Sequence, residues 1–351
     1  MLRRHALKLA LLAPVPGAAA LTGCQRTPKR EQVLRSLGDD LMAKGIRDAV
    51  RAGHDLQAAV VHLAAAPSAN AAATAQAAWV NTAVKWKRAN ALRDQQLSAG
   101  SELVRAAFWP PRPRAIEELV RSDLPLTDAD VEKLGADVRS LYAMEYLLFA
   151  ERSGSSFQLA APENARARQA LVAFSGGLSR RGAAVEAGLA TGSVGARFAA
   201  QGQDALNRLV AIAVGNIESL VANRLATIVW IASTKRSRPL DIEGGPSGIS
   251  HRLAAAVLEV SAQLYAGEQG QGLGALVAAV AAPAHERIRG AFLGAVAAIQ
   301  GFAQPLETVA LTDRSKIDGL LAKCKSLEVA LRSDLASALG VTLTFSSSDA
   351  D

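Results

Sequence analysis

The sequence predicts an all-α protein built from packed antiparallel helices. Half of its 351 residues are hydrophobic but only 4% are aromatic, and the chain is rich in alanine and leucine, which favour helices over strands. Apolar residues recur at three- and four-residue spacings in long runs that Gly, Pro and Ser interrupt. The length is sufficient for a sizeable core and for two domains.

The first two helices are predicted on either side of a Pro-Ser turn at residues 67–68. One helical pattern covers residues 34–66 and a second covers residues 70–92. Trp79 and Trp86 lie seven positions apart in the second pattern, so they share one face of the helix. We expect both rings to pack in the core rather than to stack on a ligand.

A proline-rich break follows at residues 108–114. Trp109 precedes two prolines, and proline removes a backbone donor and holds the preceding residue extended. We therefore expect an irregular segment across the mouth of the helical bundle. Trp109, Arg112 and Arg114 are candidates for lining a pocket there, and the alternative for both arginines is a solvated loop position.

One helix is predicted to begin at the N-cap Thr127, with acidic residues in its first turn, and to continue to Phe149. One face of it carries four hydrophobic residues and one carboxylate: Leu134, Val138, Leu141, Glu145 and Leu148. Glu145 is therefore predicted to point inward, where a carboxylate must be paired, protonated or bound to a cation. Tyr142 lies on the same side and can offer its phenol oxygen to the same pocket.

Two readings of Glu145 stay open on the residues alone. It is either a structural carboxylate, satisfied by backbone donors or by an arginine such as Arg88, or part of a binding site.

The rest of the chain divides at polar, Gly- and Ser-rich breaks. Residues 151–156 are the first predicted domain boundary, so residues 33–153 form an N-terminal bundle and residues 160–351 a C-terminal bundle. Helices are predicted at 162–190, 199–233, 248–266, 272–302 and 313–338, with a long breaker loop at 235–247.

Several short motifs occur in order along the chain. They are Ala-Trp at 78–79, Phe-Trp-Pro at 108–110, Ser-Leu-Tyr-Ala-Met-Glu followed by Tyr-Leu-Leu-Phe at 140–149, and a Leu-Gly-Val ending from 339. This order resembles the imelysin-like family, whose signature is Gly-x-His-x-x-Glu. The signature Glu is Glu145, whereas Ser140 replaces the Gly and Tyr142 replaces the His.

The resemblance implies a fold and a function. The fold would be two helical bundles in a pseudo-duplicated arrangement, with a pocket between them that includes Glu145. Family members were once regarded as metallopeptidases and are now associated with iron-regulated uptake at the bacterial envelope. The resemblance thus implies iron, or an iron-related ligand, as the cofactor or cargo, and other envelope iron-uptake proteins as partners.

The N-terminus resembles a lipoprotein signal peptide. Residues 1–23 combine a basic start, an apolar run and Leu-Thr-Gly before Cys24, which would be lipidated. Residues 24–32 are polar and predicted to be a tether. The residue after Cys24 is Gln25 and not the Asp that retains lipoproteins in the inner membrane. We therefore expect a periplasmic protein that is anchored to the outer membrane rather than to the inner one. Its export route would be the twin-arginine or the general secretory pathway.

The charge does not indicate a nucleic-acid partner. The formal net charge is +7, and loss of Arg3, Arg4 and Lys8 with the leader would leave +4. Basic residues are scattered among acids rather than gathered in a patch with aromatics, so no nucleic-acid binding is predicted.

The motifs argue against a peptidase. The chain has neither His-Glu-x-x-His nor Gly-x-Ser-x-Gly. A phenolate from Tyr142 and a carboxylate from Glu145 suit Fe(III), but they need further donors. Asp241 and Glu243 are candidates, although exposure is expected for both. The first hypothesis is an iron-binding module, the second is a metal-free scaffold with a degenerate site, and a hydrolase is the remote third.

Overall fold

A computed structural model describes residues 29–94, 100–190, 192–236 and 238–342. Within these ranges the chain is helical and has no strand, which confirms the all-α prediction. The signal peptide, Cys24 and residues 343–351 lie outside the described residues. The predicted tether ends earlier than residue 32, because the first helix already begins at Arg30.

Ten helices belong to the first half of the described chain. They are α1 Arg30–Ser36, α2 Lys44–Ala65, α3 Ala69–Ala91, α4 Gly100–Ala106, α5 Pro113–Arg121, α6 Asp128–Lys133, α7 Ala136–Arg139, α8 Leu141–Leu148, α9 Ala150–Ser153 and α10 Ala165–Ala190. A π-helical segment, Leu37–Ala43, joins α1 to α2 without a break. The predicted helices at 34–66 and 70–92 are therefore confirmed.

Nine helices follow in the second half of the described chain. They are α11 Val194–Gln201, α12 Gln203–Ser219, α13 Ala226–Thr234, α14 Ser250–Ala266, α15 Leu273–Val280, α16 Ala282–Gln300, α17 Leu306–Thr312, α18 Arg314–Ala330 and α19 Ala336–Leu339. Two further π-helical segments, Leu220–Leu225 and Leu331–Leu335, lie between α12 and α13 and between α18 and α19.

The prediction of a single helix from Thr127 to Phe149 is wrong. Thr127 does cap α6, where its side chain accepts from the backbone N–H of Asp130. The chain then turns extended at Leu134 and again at Ser140. The Ser140 side chain accepts from the N–H of Ala143 and so begins α8 as a separate helix. Glu145 is nevertheless buried, because every residue of α8 is buried.

The first bundle packs α2, α3 and α10 side by side, with α8 against α3 and α10. Trp79 and Trp86 are fully buried in it, which confirms their core role. Trp79 also fixes the position of α8, because its Nε1–H donates to the carbonyl of Leu141 at 2.7 Å.

The second bundle packs α12, α14, α16 and α18, and the contact between α3 and α14 joins it to the first. The buried apolar residues of the two bundles form one continuous core. α10 packs on the first bundle although its residues fall in the predicted C-terminal domain, and the division into residues 33–153 and 160–351 stays a prediction. The pseudo-duplicated arrangement stays a prediction.

A second junction brings two backbones into direct contact. A Cβ on Gly195 would lie 2.2 Å from the carbonyl oxygen of Arg35, and one on Gly38 would lie 2.6 Å from Gly195 Cα. Asp39 stabilises this helix crossing by accepting hydrogen bonds from the N–H of Gly195 at 2.9 Å and from the hydroxyl of Ser193 at 2.6 Å. Glycine is required here because the helices cross without room for a side chain.

A continuous helical rod, Gln203–Thr234, carries the π-helical segment Leu220–Leu225 near its middle. By length and composition it is apolar enough to cross a membrane. It packs against α14 and α18 in the second bundle, as the core helix of a globular fold does. The π-helical segment holds Arg224, which belongs to the site described next.

Candidate functional site

The site forms where the loop between α13 and α14 folds onto α8. Two glycines let this loop turn tightly: Gly244 has φ +75°, and a Cβ on Gly245 would lie 2.1 Å from the carbonyl oxygen of Pro239. The turn presents two side chains, Glu243 and Ser247, to α8.

Glu243 is the centre of a buried cluster of charges. Lys87 of α3 donates to both of its carboxylate oxygens, at 2.6 and 2.7 Å. Arg224 donates through Nε to Oε2 at 2.6 Å, and the phenol of Tyr142 donates to Oε1 at 2.5 Å. The Glu243 side chain is 9% exposed and the Lys87 side chain 8%, so this ion pair is almost entirely removed from water.

The two cations keep Glu243 ionised. Burial alone would raise the pKa of Glu243, but the charges of Lys87 and Arg224 and the hydrogen bonds it accepts outweigh burial and lower the pKa to about 2. Burial lowers the pKa of Lys87 to about 8, against the opposing effect of Glu243. Burial and the neighbouring Glu243 carboxylate raise the pKa of Tyr142 well above its usual value, so the phenol keeps its proton.

Glu145 lies in the same buried region, but its hydrogen-bond donors come from the loop. Ser247 donates to Oε1 twice, from its backbone N–H at 3.0 Å and from its hydroxyl at 2.5 Å. Burial raises the pKa of Glu145 to about 8 despite these two bonds, which favour the ionised form. Burial therefore favours the protonated form of Glu145. Both interpretations of Glu145 stay open: its donors are one backbone N–H and one hydroxyl of Ser247, and Arg88 bonds Glu259 and Gln263 instead.

These residues do not form a suitable centre for a bare iron ion. An iron ion would have to displace Lys87 and Arg224 from Glu243 and release the protons that burial favours on Glu145 and Tyr142. Across the described ranges, no three His, Cys, Asp or Glu side chains are grouped closely enough to hold a metal. The residue set thus disagrees with direct metal ligation by Tyr142 and Glu145.

A cavity of about 290 Å³ opens beside Glu243. Trp109 lines it and is 36% exposed in the irregular segment between α4 and α5. The apolar walls come from Ile228, Leu253 and Leu306. The polar walls come from the π-helical segment, the loop and nearby helix residues: Ser219, Asn223, Arg224, Asp241, Glu243 and Ser250. This cavity, which we call the Trp109 cavity, is partly open and has one arginine on its wall.

Three predicted pocket residues lie elsewhere. Arg88 faces α14, where it bonds Glu259 at 3.3 Å and Gln263 at 2.6 Å, because one residue along a helix rotates the side chain by about 100° away from Lys87. Arg112 pairs with Asp137 at 2.7 Å.

Arg112 and Arg114 are both exposed. The arginines of the proline-rich segment are therefore solvated, and neither pairs with Glu145.

The structure adds three site residues that the sequence reading did not single out: Lys87, Arg224 and Ser247. It also corrects the expected exposure of Glu243, whose side chain is only 9% exposed. Asp241 lies at the cavity and pairs with Arg238 at 2.8 Å. Lys87 could have been found, because it continues the apolar i+4 series Ala75, Trp79 and Ala83. Ser247 could not, because it lies in a loop without periodicity.

Comparison with known proteins identifies the fold and the family. The family model described as Imelysin, peptidase family M75, matches residues 43–333, which is most of the chain. No curated protein sequence matches. A solved structure from Parabacteroides distasonis ATCC 8503, described as an iron-regulated protein A precursor, superposes with a TM-score of 0.68 at 17% identity, covering 89% of this chain and 96% of that chain.

A second solved structure, an imelysin-like protein from Psychrobacter arcticum 273-4, superposes with a TM-score of 0.68 at 16% identity. It covers 90% of this chain and 97% of that one. At these identities the two structures establish a shared all-helical fold, and the family model establishes the relationship in sequence. The chain therefore belongs to the imelysin family.

Proposed function

We propose that this chain is a non-catalytic imelysin of the bacterial envelope that binds an iron-related ligand in the Trp109 cavity, as a small anionic ferric chelate rather than as a bare ion. The observation that supports this choice most directly is the double pairing of Glu243 with Lys87 and Arg224. The resemblance implies either iron itself or an iron-related ligand. The pairing of Glu243 favours the iron-related ligand.

A bare ion would have to displace these cations. Desolvated charges that lose their partner destabilise a protein by several kcal/mol, so binding Fe(III) at Glu243 would leave Lys87 and Arg224 buried against a third cation. In a chelate the organic part already ligates the metal, so the protein only has to bind the outer surface of the chelate. The site therefore does not have to supply ligands to the metal.

The Trp109 cavity suits such a ligand in size and in chemistry. Its volume of about 290 Å³ is near the lower end of small-molecule pockets. The guanidinium of Arg224 uses Nε for Glu243 and Nη1 for Ser219 at 3.3 Å, and its Nη2 donates to none of the described residues. A carboxylate of the chelate can accept from Nη2, while the Trp109 ring covers the apolar part.

Calorimetric titration of the mature protein with Fe(III)–nitrilotriacetate tests this function. We expect saturable binding by the wild type and a loss of about tenfold or more in Trp109→Ala, because a buried aromatic contact contributes 1–2 kcal/mol or more. Trp230→Ala is the matched control, since Trp230 is 52% exposed on α13 and does not line the cavity. Equal binding by both variants would overturn the assignment of the cavity.

The substitution Tyr142→His tests the metal question directly. Elemental analysis after incubation with Fe(II) or Fe(III) salts should find no stoichiometric iron in the wild type. Iron uptake by Tyr142→His, together with its absence in the wild type, would mark the natural site as one that has lost a metal ligand. Stoichiometric iron in the wild type, abolished by Glu145→Gln, would contradict the chelate proposal.

A metal-free interaction protein of an iron-uptake system is the second candidate. The pairing of all three site acids supports it: Glu243 with Lys87 and Arg224, Glu145 with Ser247, and Asp241 with Arg238. Such a protein would bind neither the salts nor the chelate. Peptidase activity is not proposed, because the same pairing leaves no open metal position and no activated nucleophile.

The proposal includes anchoring at Cys24 in the periplasm, on the outer membrane, near partner proteins of iron uptake. It is supported by the lipobox-like residues before Cys24. Metabolic labelling with palmitate should mark the wild type and not Cys24→Ser, and density fractionation should place the label with outer membranes. Label in inner membranes alone would contradict the outer-membrane assignment.

A further inference from the structure

A second cavity, of about 790 Å³, lies on the other side of Arg224. It runs between the C-terminal end of α3, the rod Gln203–Thr234 and the α18–α19 region. Ser219, Asn223 and Arg224 line both this cleft and the Trp109 cavity, so the π-helical segment separates two spaces. We call the larger space the α3–α12 cleft.

Cations outnumber acids on the walls of the cleft. Five basic residues line it, namely Lys87, Arg93, Arg208, Arg224 and Arg332. Three acids line it, namely Asp94, Glu218 and Glu328.

The three acids are already paired with two of these cations. Arg208 bonds the fully buried side chain of Asp94 at 2.8 Å. Arg332 bonds Glu218 and lies 3.6 Å from Glu328. Lys87, Arg93 and Arg224 therefore have no acidic partner on the cleft wall, although Lys87 and Arg224 share the Glu243 carboxylate behind it.

Among the five basic residues of the cleft, Arg93 has the weakest compensation of its positive charge. It is exposed, and among the described residues its hydrogen bonds go only to the two oxygens of Asn90, at 3.2 and 3.5 Å. A guanidinium with spare donors at the edge of a cleft is suited to bind an oxyanion in a two-point manner. The side chains of Asn216 and Asn223 add amide oxygens to the same wall, which can accept from hydroxyl groups.

We propose that the α3–α12 cleft is a second binding site, for a small ligand with two or more anionic oxygen groups, carboxylate or phosphate, held by Arg93 together with Arg224, whose guanidinium lines both this cleft and the Trp109 cavity. This site shares Arg224 with the Trp109 cavity, but it needs neither iron nor Trp109, so loss of citrate binding in Arg93→Gln and loss of chelate binding in Trp109→Ala are separate results. Its volume lies within the range of small-molecule pockets and exceeds that of the Trp109 cavity.

The test is calorimetric titration of the iron-free mature protein with citrate and, separately, with inorganic phosphate. We expect 1:1 binding of citrate, and a Kd raised about tenfold or more in Arg93→Gln, as expected when a charge-assisted hydrogen bond is lost. Arg51→Gln is the matched control, because Arg51 is 75% exposed on α2 and outside the cleft. It removes the same charge and should change the Kd less than twofold.

Hydrogen exchange gives an independent readout. Bound citrate should slow exchange at the end of α3 and in the segment Leu220–Leu225, and not in α10. The proposal is overturned if citrate and phosphate both fail to bind the wild type below about 10 mM, or if Arg93→Gln and Arg51→Gln weaken binding equally. Tighter binding of phosphate than of citrate would support the site and assign it to phosphate-bearing ligands.

Discussion

The phenol of Tyr142 donates to Oε1 of Glu243 across 101 positions of sequence, at 2.5 Å. In the family signature the position of Tyr142 belongs to a histidine. A neutral phenol can only donate to, or weakly accept from, its neighbours, so the contact makes Tyr142 a hydrogen-bond donor to an anion rather than a metal ligand. This relationship links the signature helix α8 to the loop of the second bundle.

The free energy of unfolding is predicted to fall with rising pH because of Glu145. A carboxyl whose folded pKa, about 8, exceeds its unfolded value of 4.5 stabilises the fold fully below pH 4.5 and loses this contribution as the pH rises towards 8. Compared with Glu145→Gln, the wild type should lose up to about 1.4 kcal/mol of unfolding free energy per pH unit in that window. Urea unfolding of both proteins at pH 5 and pH 8 measures the difference.

Glu307, whose pKa burial also raises, contributes equally to both proteins and cancels. Lys87 acts in a different window: its folded pKa of about 8 lies below its unfolded 10.5, so its contribution is lost as the pH falls towards 8. A difference between the two proteins that does not vary with pH would contradict the assigned protonation of Glu145.

Removal of one cation of the buried cluster is predicted to destabilise the fold. Lys87→Met leaves Glu243 with Arg224 alone and should lower the free energy of unfolding by about 2–4 kcal/mol. The double variant Lys87→Met/Glu243→Gln should recover part of this loss, because the carboxylate is then neutral and the only charge that loses its partner is Arg224, whose side chain is 30% exposed. Chemical denaturation of the single and double variants gives the coupling.

Lys44→Met is the matched control for Lys87→Met. Lys44 pairs with Glu268 at 3.1 Å, but both side chains are more than half exposed. Its loss should change stability by less than about 1 kcal/mol. Equal losses at the two lysines would show that the buried cluster contributes no more than a surface ion pair.

The two buried tryptophans of α3 are predicted to respond differently to substitution. Both Trp79 and Trp86 are fully buried, but Trp79 Nε1 donates to Leu141, whereas Trp86 Nε1 has no partner among the described residues. Trp79→Phe loses volume and a buried hydrogen bond to the Leu141 carbonyl, while Trp86→Phe loses volume and an N–H that has no partner among the described residues. Thermal unfolding should show a larger loss for Trp79→Phe, by about 1–3 kcal/mol.

The glycine contact between α1 and α11 is predicted to tolerate no side chain. Gly195→Ala would place a Cβ 2.2 Å from the Arg35 carbonyl oxygen, and should destabilise by about 2 kcal/mol or more because a backbone must move. Gly45→Ala is the control, since a Cβ at Gly45 in α2 meets nothing within 4 Å. That change should stabilise by about 0.5–1 kcal/mol, and urea denaturation distinguishes the two.

Periodicity predicted most of the helices and the inward position of Glu145, because burial of apolar faces sets both. It missed the break at Ser140, where a side-chain cap to Ala143 competes with helix continuation. It also placed Arg88 rather than Lys87 at the site, although Lys87 occupies the buried stripe of Ala75, Trp79 and Ala83.

The partners of the site depend on tertiary contacts that no local pattern contains. Glu243 and Ser247 lie in an irregular loop, and their burial follows from tight turning at Gly244 and Gly245. The expected exposure of Glu243 was wrong for this reason: composition identified a breaker loop, but only its path over α8 determines which side chain is covered.

The charge cluster also has a kinetic consequence. Lys87, Tyr142 and Glu243 meet across 156 and 101 sequence positions, so loop closure must bring distant segments together before any of these ion pairs can form. The cluster should therefore be assembled late in folding, after α3, α8 and the loop have been brought together. A spectroscopic probe at Glu243 would report completion of the native state rather than the formation of helices.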